Sequence, residues 1–582
     1  MTGHLRREPG RYLRGGADPA LPEALSRRRH GGWLRTAFAA LWVGLVSQTA
    51  LAATVATESG LVQGVADSSV TVFRGLPFAA PPVGRLRWRA PQPATAWQGV
   101  REAATYSPRC PQSGAYPPES PAEPTSEDCL YLNVWVPTGT TPKPLPVMVW
   151  FYGGGLVNGS ASLPLYRGDR LAEHGVILVT ANYRLGALGF LAHPTLSQES
   201  QLRLSGNYGL LDQVAALNWI QRNIAAFGGD PGRVTIFGQS SGSISVSALT
   251  SSPLAKGLFQ RAIGQSGGLF EPLAIVPGYS LAGAQAEGVD FVRRTGAKTI
   301  EQLREMPVAE LLEVPFDPHL VIDGVALKGS PYDVYANNGQ NDVDILVGYN
   351  AAEGQYFLHG KSITTENYTQ TLSEDFPPIL VRLLAPRPGN DKRSARAAAA
   401  AFEGDARFRW DMWTWARLAA RMGSKHVYLY EFTRAPPFAS DSRYFGMGAT
   451  HGMEMPYVFG NLDSAAAAWT SGDRQLADAM QEYWTNFART GDPNGAGLPR
   501  WPDFRSSLQV MMLGDQIEAK AVPDAESLRR IDRFYRVARA GAEHPLAALS
   551  LAIVLVMVFL GGAGFAYRRW RRRPRASEAQ AL

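Results

Sequence analysis

The sequence predicts an α/β fold with a mostly parallel central sheet that is covered by helices on both faces. Short apolar runs rich in β-branched residues recur after turn signals, as expected for buried strands. These runs cover residues 145–152, 176–182, 234–237, 262–265, 343–348, 426–432 and 509–513. Between two of them, residues 209–226 show apolar side chains at helical spacing. Alternation of buried strands with helices is typical of a parallel sheet with both faces covered.

The composition indicates a globular protein with an extension at each end. Of the 582 residues, 45% are hydrophobic and 19% are charged, which allows a large packed core and shows no bias toward disorder. No Gly/Ser-rich or Pro-rich linker divides the middle of the chain. We therefore predict one large domain over residues 53–540, preceded by residues 1–52 and followed by two segments, 546–567 and 568–582.

The net charge of +6 is concentrated at the two ends of the chain. Residues 1–52 carry a net charge of +5 and so do residues 568–582, which leaves a net charge of −4 between them. Binding to nucleic acid would need a basic patch or stripe on the folded body. The charge distribution therefore argues against a nucleic-acid partner and points to the placement of the chain across a membrane.

The N-terminal residues have the pattern of a secretory signal peptide. Arginines at 27–29 and at 35 precede an apolar run over residues 36–46, and the small residues Ala50 and Ala52 follow. A basic stretch, a short apolar segment and a small-residue site are the parts of a signal peptide. We predict export with cleavage after Ala52. An uncleaved anchor is the alternative, although so short a run barely spans a bilayer.

An uncharged apolar run over residues 546–567 predicts a transmembrane helix. At about 1.5 Å per residue, this run is long enough to cross a hydrocarbon core of about 30 Å. The Arg-rich residues 568–582 that follow are expected to stay in the cytoplasm. The large domain would then be extracytoplasmic, either periplasmic or at the cell surface. A buried core helix and a segment removed by an anchoring enzyme are the alternatives.

Only two cysteines, Cys110 and Cys129, occur in the chain. In an exported domain they meet an oxidising compartment, so we expect one disulfide, with two free thiols as the alternative. On the chain-entropy account, closing this loop stabilises the fold by about 3 kcal/mol, because it restricts the unfolded chain.

Residues 238–242 form a G-x-S-x-G pattern between a predicted strand and a predicted helix. In this context the turn is so tight that Ser240 takes strained backbone angles and glycines are needed on either side. The hydroxyl group of Ser240 is then presented at the carboxyl edge of the sheet, near the positive end of the next helix. We predict that Ser240 is a catalytic nucleophile; a plain Gly/Ser turn is the alternative.

A serine hydroxyl needs a general base, and the base needs an acid that orients it. In chains with this turn the order is nucleophile, acid, histidine. Four of the nine histidines follow far enough along: His359, His426, His451 and His544. His544 lies beside the predicted membrane segment, His426 opens a predicted strand, and His359 follows the best acid candidate too closely. His451 is therefore the predicted base, with a purely structural histidine as the alternative.

Glu353 is the predicted acid, because it follows the strand over residues 343–348, which ends at the same edge of the sheet as Ser240. Asp212 lies on a helix before the nucleophile and is predicted to be a buried structural carboxylate. Glu454 lies one helical turn from His451 and is predicted to pack or to cap.

Three glycines, Gly153, Gly154 and Gly155, follow directly on the predicted strand over residues 145–152. Without side chains, their amides can point into a site beside the amide of Ser241 and bind the oxyanion that forms during attack on an ester. Each such donor is commonly worth about 3–4 kcal/mol. A flexible loop is the alternative.

The chain carries a series of motifs that together are highly specific. They are FRGLPFAAPPVGRLRW (73–88), EDCLYLNVWVP (127–137), WFYGGG (150–155), NYRLGALGF (182–190), GNYGLLDQ (206–213), FGGDPGRVTIFGQSSG (227–242), QSGG (265–268) and HGMEMPYVFG (451–460). With these motifs the chain resembles type-B carboxylesterases over nearly all of residues 57–515. That family includes cholinesterases and bacterial esterases active on nitrobenzyl esters.

The resemblance implies the α/β-hydrolase fold and an ester hydrolysis that needs no metal or cofactor. It also implies roles for particular residues, which agree with the roles predicted above. The catalytic residues would be Ser240, Glu353 and His451, the oxyanion hole would be formed by Gly154, Gly155 and Ser241, and the disulfide would join Cys110 and Cys129.

Three departures from the family pattern bear on the substrate. Gln239 stands where a Glu usually precedes the nucleophile, and Leu156 stands where Phe often follows the glycines. Members that hydrolyse choline esters hold the quaternary ammonium over a Trp in the first disulfide loop, whereas Tyr116 is the only aromatic residue in this loop. We therefore expect a small-molecule, neutral ester. Amides, carbamates and long-chain lipid esters are alternative substrates, and a catalytically silent, membrane-tethered binding or adhesion module is the alternative function.

Overall fold

The computed structural model describes residues 53–67, 69–113, 123–139, 143–421 and 425–544. The predicted signal peptide, transmembrane helix and cytoplasmic tail lie outside these ranges, and so does Tyr116. Within these ranges, no helix is both long enough and apolar enough to cross a membrane.

The described residues form two β-sheets, of which the larger lies at the centre of the domain. The strands are β1 (Thr54–Thr57), β2 (Gly60–Gln63), β3 (Val65–Asp67), β4 (Val70–Pro77), β5 (Val100–Glu102), β6 (Tyr131–Pro137), β7 (Leu145–Phe151), β8 (Ile177–Ala181), β9 (Gly229–Gln239), β10 (Arg261–Gln265), β11 (Asp344–Asn350), β12 (Val427–Phe432), β13 (Gln509–Leu513) and β14 (Ile517–Ala521). The larger sheet has 11 strands in the order β14-β13-β12-β11-β10-β9-β7-β8-β6-β4-β3, and β1, β2 and β5 form the smaller sheet.

The middle of the larger sheet is parallel, whereas its two ends are antiparallel. Seven neighbouring strands, from β8 through β7, β9, β10, β11 and β12 to β13, pair in parallel. Strands β3, β4 and β6 pair antiparallel on one side, and β14 pairs antiparallel with β13 on the other. All seven predicted strands are therefore confirmed as the parallel part, but the sheet is mixed because four antiparallel strands extend it.

Eighteen α-helices lie in the described part of the chain. They are α1 (Asp169–Glu173), α2 (Gly186–Phe190), α3 (Pro194–Glu199), α4 (Tyr208–Asn223), α5 (Ser241–Ser251), α6 (Leu281–Thr295), α7 (Ile300–Glu305), α8 (Val308–Glu313), α9 (Pro331–Ala336), α10 (Gly354–Phe357), α11 (Tyr368–Leu372), α12 (Pro378–Leu384), α13 (Lys392–Gly404), α14 (Trp410–Arg421), α15 (Met455–Val458), α16 (Ser471–Thr490), α17 (Phe504–Ser507) and α18 (Ala525–Glu543). The helix predicted over residues 209–226 is α4, which continues into a 3₁₀ turn at Ile224–Phe227. Helices α13 and α14 are joined by a π-helical turn at Asp405–Arg409.

The parallel strands are buried on both faces. Every residue of β8, β11 and β12 is buried, as expected where helices cover both sides of a sheet. Helix α5 contacts β9 and β10, α14 contacts β11 and β12, and α16 contacts β7 and β9. Because parallel strands end at one edge of the sheet, the segments that follow β7, β9, β11 and β12 meet at that edge.

The predicted disulfide is present in the structure. Cys110 and Cys129 are bonded, their Cα atoms are 5.1 Å apart, and both side chains are fully buried. Half of the loop that this bond closes, residues 114–122, lies outside the described residues.

Candidate active site

A sharp turn between β9 and α5 holds Ser240. Its backbone has φ 57° and ψ −128°, a conformation that a residue with a side chain adopts only when the surroundings enforce it. A Cβ atom at Gly238 would collide with the backbone of Gly242, and one at Gly242 would collide with the carbonyl oxygen of Phe151. These contacts explain why the turn needs glycine on both sides of the serine.

The segments after β11 and β12 bring Glu353 and His451 together. Nδ1 of His451 lies 2.7 Å from Oε2 of Glu353. The other carboxylate oxygen of Glu353 accepts a hydrogen bond of 2.7 Å from the backbone N–H group of Asn350. Both side chains are buried, with 1% of Glu353 and 8% of His451 exposed. With Nδ1–H donated to the carboxylate, a neutral imidazole presents the lone pair of Nε2 and can accept a proton there.

Nε2 of His451 faces Gln239 in this structure. The amide nitrogen of Gln239 lies 3.1 Å from Nε2, and only 1% of the Gln239 side chain is exposed. Among the described residues, no hydrogen bond joins the hydroxyl group of Ser240 to His451. The structure thus brings the predicted acid and base into contact, whereas the bond between base and nucleophile is not formed. Such bonds are often loose without substrate and tighten in the complex.

The glycine loop after β7 lies against the nucleophile turn. A Cβ atom at Gly153 would lie 3.0 Å from the Cβ atom of Ser240 and 2.7 Å from the carbonyl oxygen of Gln239, so glycine permits this close approach. Gly154 and Gly155 have φ of 106° and 64°. The neighbouring amide of Leu156 donates a bond of 3.2 Å to the hydroxyl oxygen of Ser241, which ties the loop to the start of α5.

Three backbone amides at this place have no acceptor. The N–H groups of Gly154, Gly155 and Ser241 donate to no atom of the described residues. Buried backbone N–H groups almost always find an acceptor. Three free donors beside Ser240 are therefore available to a negatively charged oxygen of a bound substrate.

Aromatic rings enclose the imidazole of His451. The ring of Phe408 stacks on it with 4.4 Å between centroids and 18° between planes. Phe357 and Tyr356 lie at 5.2 Å and 5.8 Å, and the guanidinium of Arg407 lies 4.5 Å from the Phe357 ring. Phe408 belongs to the π-helical turn, a deviation that is frequent at functional sites. Phe408 was not predicted, because one extra residue in a helical turn leaves no recognisable pattern in the sequence.

A second layer of polar side chains connects the loops that carry Glu353 and His451. The Glu454 carboxylate accepts bonds of 2.6 Å from Asn350 and 3.1 Å from Gln265, and Asn350 also donates to the carbonyl oxygen of Thr450 at 2.8 Å. Burial raises the pKa of Glu454, and the nearby Glu353 raises it further. Glu454 packs as predicted. Asn350 and Gln265 were not predicted, although polar residues at the ends of β10 and β11 are a signal that could have found them.

Asp212 and His426, two other candidates for the acid and the base, lie in ion pairs away from Ser240. The Asp212 carboxylate is fully buried and lies 2.7 Å from Nη2 of Arg184, as predicted for a structural carboxylate. Burial raises the pKa of Asp212, and Arg184 opposes that increase. His426 is half-exposed and lies 3.0 Å from a carboxylate oxygen of Asp503. In the part of the chain that the structure describes, no cluster of three His, Cys, Asp or Glu side chains is arranged to hold a metal ion.

Fold and site together define a hydrolase: a mixed sheet presents a strained serine, a histidine paired with a glutamate, and free amides at one edge. A model of the carboxylesterase family matches residues 51–530. The chain is 37% identical to a fumonisin B1 esterase of Sphingopyxis macrogoltabida, over 87% of this chain and 96% of that protein. It is 35% identical to a para-nitrobenzyl esterase of Bacillus subtilis (strain 168), over 82% of this chain and 98% of that protein.

Solved structures give the same result. A PNB esterase aligns with a TM-score of 0.71 and 32% identity, and a thermophilic PNB esterase aligns with a TM-score of 0.72 and 32% identity. Each alignment covers 82% of this chain and 99% of the solved one. The chain therefore belongs to the carboxylesterase family, has an α/β-hydrolase-like fold and is a carboxylic-ester hydrolase.

Proposed function

We propose that this carboxylesterase cleaves neutral esters by a serine mechanism in which Ser240 is the nucleophile, His451 the base and Glu353 the orienting acid. The observation that carries the proposal is the 2.7 Å hydrogen bond between His451 and Glu353. It fixes the imidazole with the lone pair of Nε2 turned away from the carboxylate, next to the turn that strains Ser240. The Gln239 amide holds that position until the hydroxyl group of Ser240 approaches. The domain concerned covers residues 53–540.

The reaction proceeds through an acyl-enzyme. The hydroxyl oxygen of Ser240 attacks the ester carbonyl while Nε2 of His451 takes the hydroxyl proton. The free amides of Gly154, Gly155 and Ser241 bind the oxyanion, and Glu353 stabilises the imidazolium. His451 then protonates the departing alcohol. A water molecule activated by the same histidine attacks the acyl-enzyme and releases the acid.

The surroundings of the site favour an uncharged acyl group. Gln239 brings no charge to the base, and the ring of Phe357 and the buried Leu156 provide apolar surface. A charged acyl group would lose its hydration beside these apolar side chains. Two of the relatives are named for a fumonisin and for a para-nitrobenzyl ester, which supports a small-molecule ester here as well.

We also propose that the enzyme is exported and anchored in a membrane. Export with removal of residues 1–52, followed by anchoring through residues 546–567, would leave the enzyme outside the cytoplasm with residues 568–582 inside. The Cys110–Cys129 disulfide supports an extracytoplasmic location. Extraction of membranes with alkali tests the anchor, because only an integral chain stays with the lipid.

Labelling with a fluorophosphonate tests the mechanism. Purified full-length chain should lose its esterase activity as one phosphonyl group is added, and peptide mapping should place that group on Ser240. The Ser240→Ala variant should take up no label. A label on another residue, or full activity after stoichiometric labelling of Ser240, would refute the assignment. A series of p-nitrophenyl esters from acetate to decanoate then defines the preferred acyl length.

A further inference from the structure

The outer side of α12 and the loop after it are both apolar and basic. Ile379 and Leu383 lie one helical turn apart and are 53% and 54% exposed, whereas Leu380 and Val381 between them are buried. Residues 377–396 contain five basic side chains and one acidic side chain. This net charge of +4 stands out, because the chain between the two basic ends is net −4. We call the exposed part the α12 surface; it consists of Ile379, Arg382, Leu383, Arg387, Lys392 and Arg393.

The cations of the α12 surface are open to solvent. Arg382, Arg387, Lys392 and Arg393 are exposed and make no salt bridge with any residue that the structure describes. Arg396, the fifth basic residue of the segment, instead donates to the carbonyl oxygens of Leu358 and Lys361. Lys392 interacts electrostatically with Glu366, and Arg393 with Asp391. Four exposed cations that form no salt bridge among the described residues, beside two exposed aliphatic side chains, are the composition of surfaces that bind anionic lipid.

The α12 surface lies beside the helix that leads to the apolar C-terminal run. Arg530 of α18 donates a bond of 3.3 Å to the carbonyl oxygen of Leu383. Two turns further along α18, Val537 is 73% exposed, more than any other large apolar side chain of the described residues. Helix α18 ends at Glu543, and the uncharged run starts at residue 546. Three residues span at most about 11 Å, so α18 ends close to wherever that run begins.

We propose that the α12 surface and Val537 of α18 rest on an anionic lipid bilayer and hold the catalytic domain in one orientation on it. The inference rests on the proposed membrane anchor, which would keep this side of the protein at the lipid. Ile379, Leu383 and Val537 enter the interface, and the four cations meet lipid phosphates and carboxylates. The anchor raises the local concentration of this surface at the membrane, so even weak contacts orient the domain.

A pair of matched labels tests the orientation in the full-length chain. Leu383 and Leu202 are both leucines with 54% exposure, and both native cysteines are in the disulfide, so Leu383→Cys or Leu202→Cys provides the only thiol. Each variant is spin-labelled and reconstituted in vesicles of phosphatidylcholine with or without phosphatidylglycerol. Collision rates with oxygen and with a water-soluble nickel complex report on the depth of the label.

In vesicles with phosphatidylglycerol, we expect a several-fold fall in nickel collisions for the label at 383 and little change for the label at 202. The double variant Arg382→Glu and Arg387→Glu should restore nickel collisions at 383. A label at 383 that is as open to nickel as the label at 202 would overturn the proposal, whether or not the chain resists alkaline extraction. Esterase activity of each variant in detergent is scored separately, so loss of activity counts only against the proposed mechanism.

Discussion

The amide nitrogen of Gln239 lies 3.1 Å from Nε2 of His451, the atom that would take the proton of Ser240. The bond from Nδ1 to Glu353 leaves Nε2 as an acceptor, so the amide of Gln239 donates to it. When Ser240 attacks, its hydroxyl group has to replace the Gln239 amide as the donor to Nε2. A glutamate here, as is usual in type-B carboxylesterases, could not donate in the same way and would favour the imidazolium.

The Gln239→Glu variant should therefore need a higher pH than the parent to reach full activity. A carboxylate beside Nε2 stabilises protonated His451, and only the neutral form can act as a base. We expect the acid limb of the pH profile of kcat/KM to move up by about one pH unit or more. The carboxylates already near the imidazole, Glu353 and Glu454, are unchanged. Gln239→Met, which removes the donor without adding charge, should leave the limb in place. A profile that does not move in Gln239→Glu would contradict this role.

Phe408 should contribute to the rate rather than to substrate binding. Its ring stacks on the imidazole of His451, and such contacts are worth about 1 kcal/mol, or about fivefold in rate. We expect Phe408→Ala to lower kcat by about that factor with KM nearly unchanged, and Phe408→Tyr to restore it. Phe376→Ala is the control, because Phe376 also lies near Arg407 but makes no ring contact with His451. Equal losses in both alanine variants would refute the role.

Asp212 should be important for stability. Its removal leaves Arg184 buried and without its partner, which typically costs about 3–5 kcal/mol. Asp230 and Arg233 form an ion pair that is about one-third exposed, so Asp230→Ala should cost under about 1 kcal/mol. Urea unfolding followed by tryptophan fluorescence compares the two variants. A similar loss of unfolding free energy in both would contradict the structural role of the buried pair.

A buried carboxyl behind the site should make stability depend on pH. Burial raises the pKa of Asp411 well above its usual range, and the neighbouring Glu271 raises it further. A carboxyl with a higher pKa in the folded state binds more protons there than in the unfolded chain. The free energy of unfolding therefore falls as the pH rises through the folded-state pKa.

The Asp411→Asn variant has no ionisable side chain at this position, so it lacks this source of pH dependence. Between about pH 5 and pH 8, the variant should lose less unfolding free energy than the parent. The measurement is urea unfolding at a series of pH values. Parallel curves for the two proteins would show that Asp411 binds the same number of protons in the folded and the unfolded chain over this range, which would contradict the raised pKa.

Much of the central sheet could be predicted, because each parallel strand is buried on both faces and forms a continuous apolar run. The strands β3, β4, β6 and β14 were not predicted, since their antiparallel positions depend on partners far along the chain. For the site, the turn around Ser240 and the chain order led to Glu353 and His451, which the structure brings into contact. The contact between Gln239 and His451 depends on how the loop after β12 folds back over the end of β9, and no local pattern records that.

The assignment of Ser240 as nucleophile is tested most directly by the hydrolysis of p-nitrophenyl butyrate by full-length parent and Ser240→Ala proteins. Ser247→Ala is the control, because Ser247 is a buried serine of α5 that bonds to the carbonyl oxygen of Ile244. We predict that kcat/KM falls by about a thousandfold or more in Ser240→Ala and changes little in Ser247→Ala. A folded Ser240→Ala protein that keeps the parent's activity would contradict the proposed mechanism.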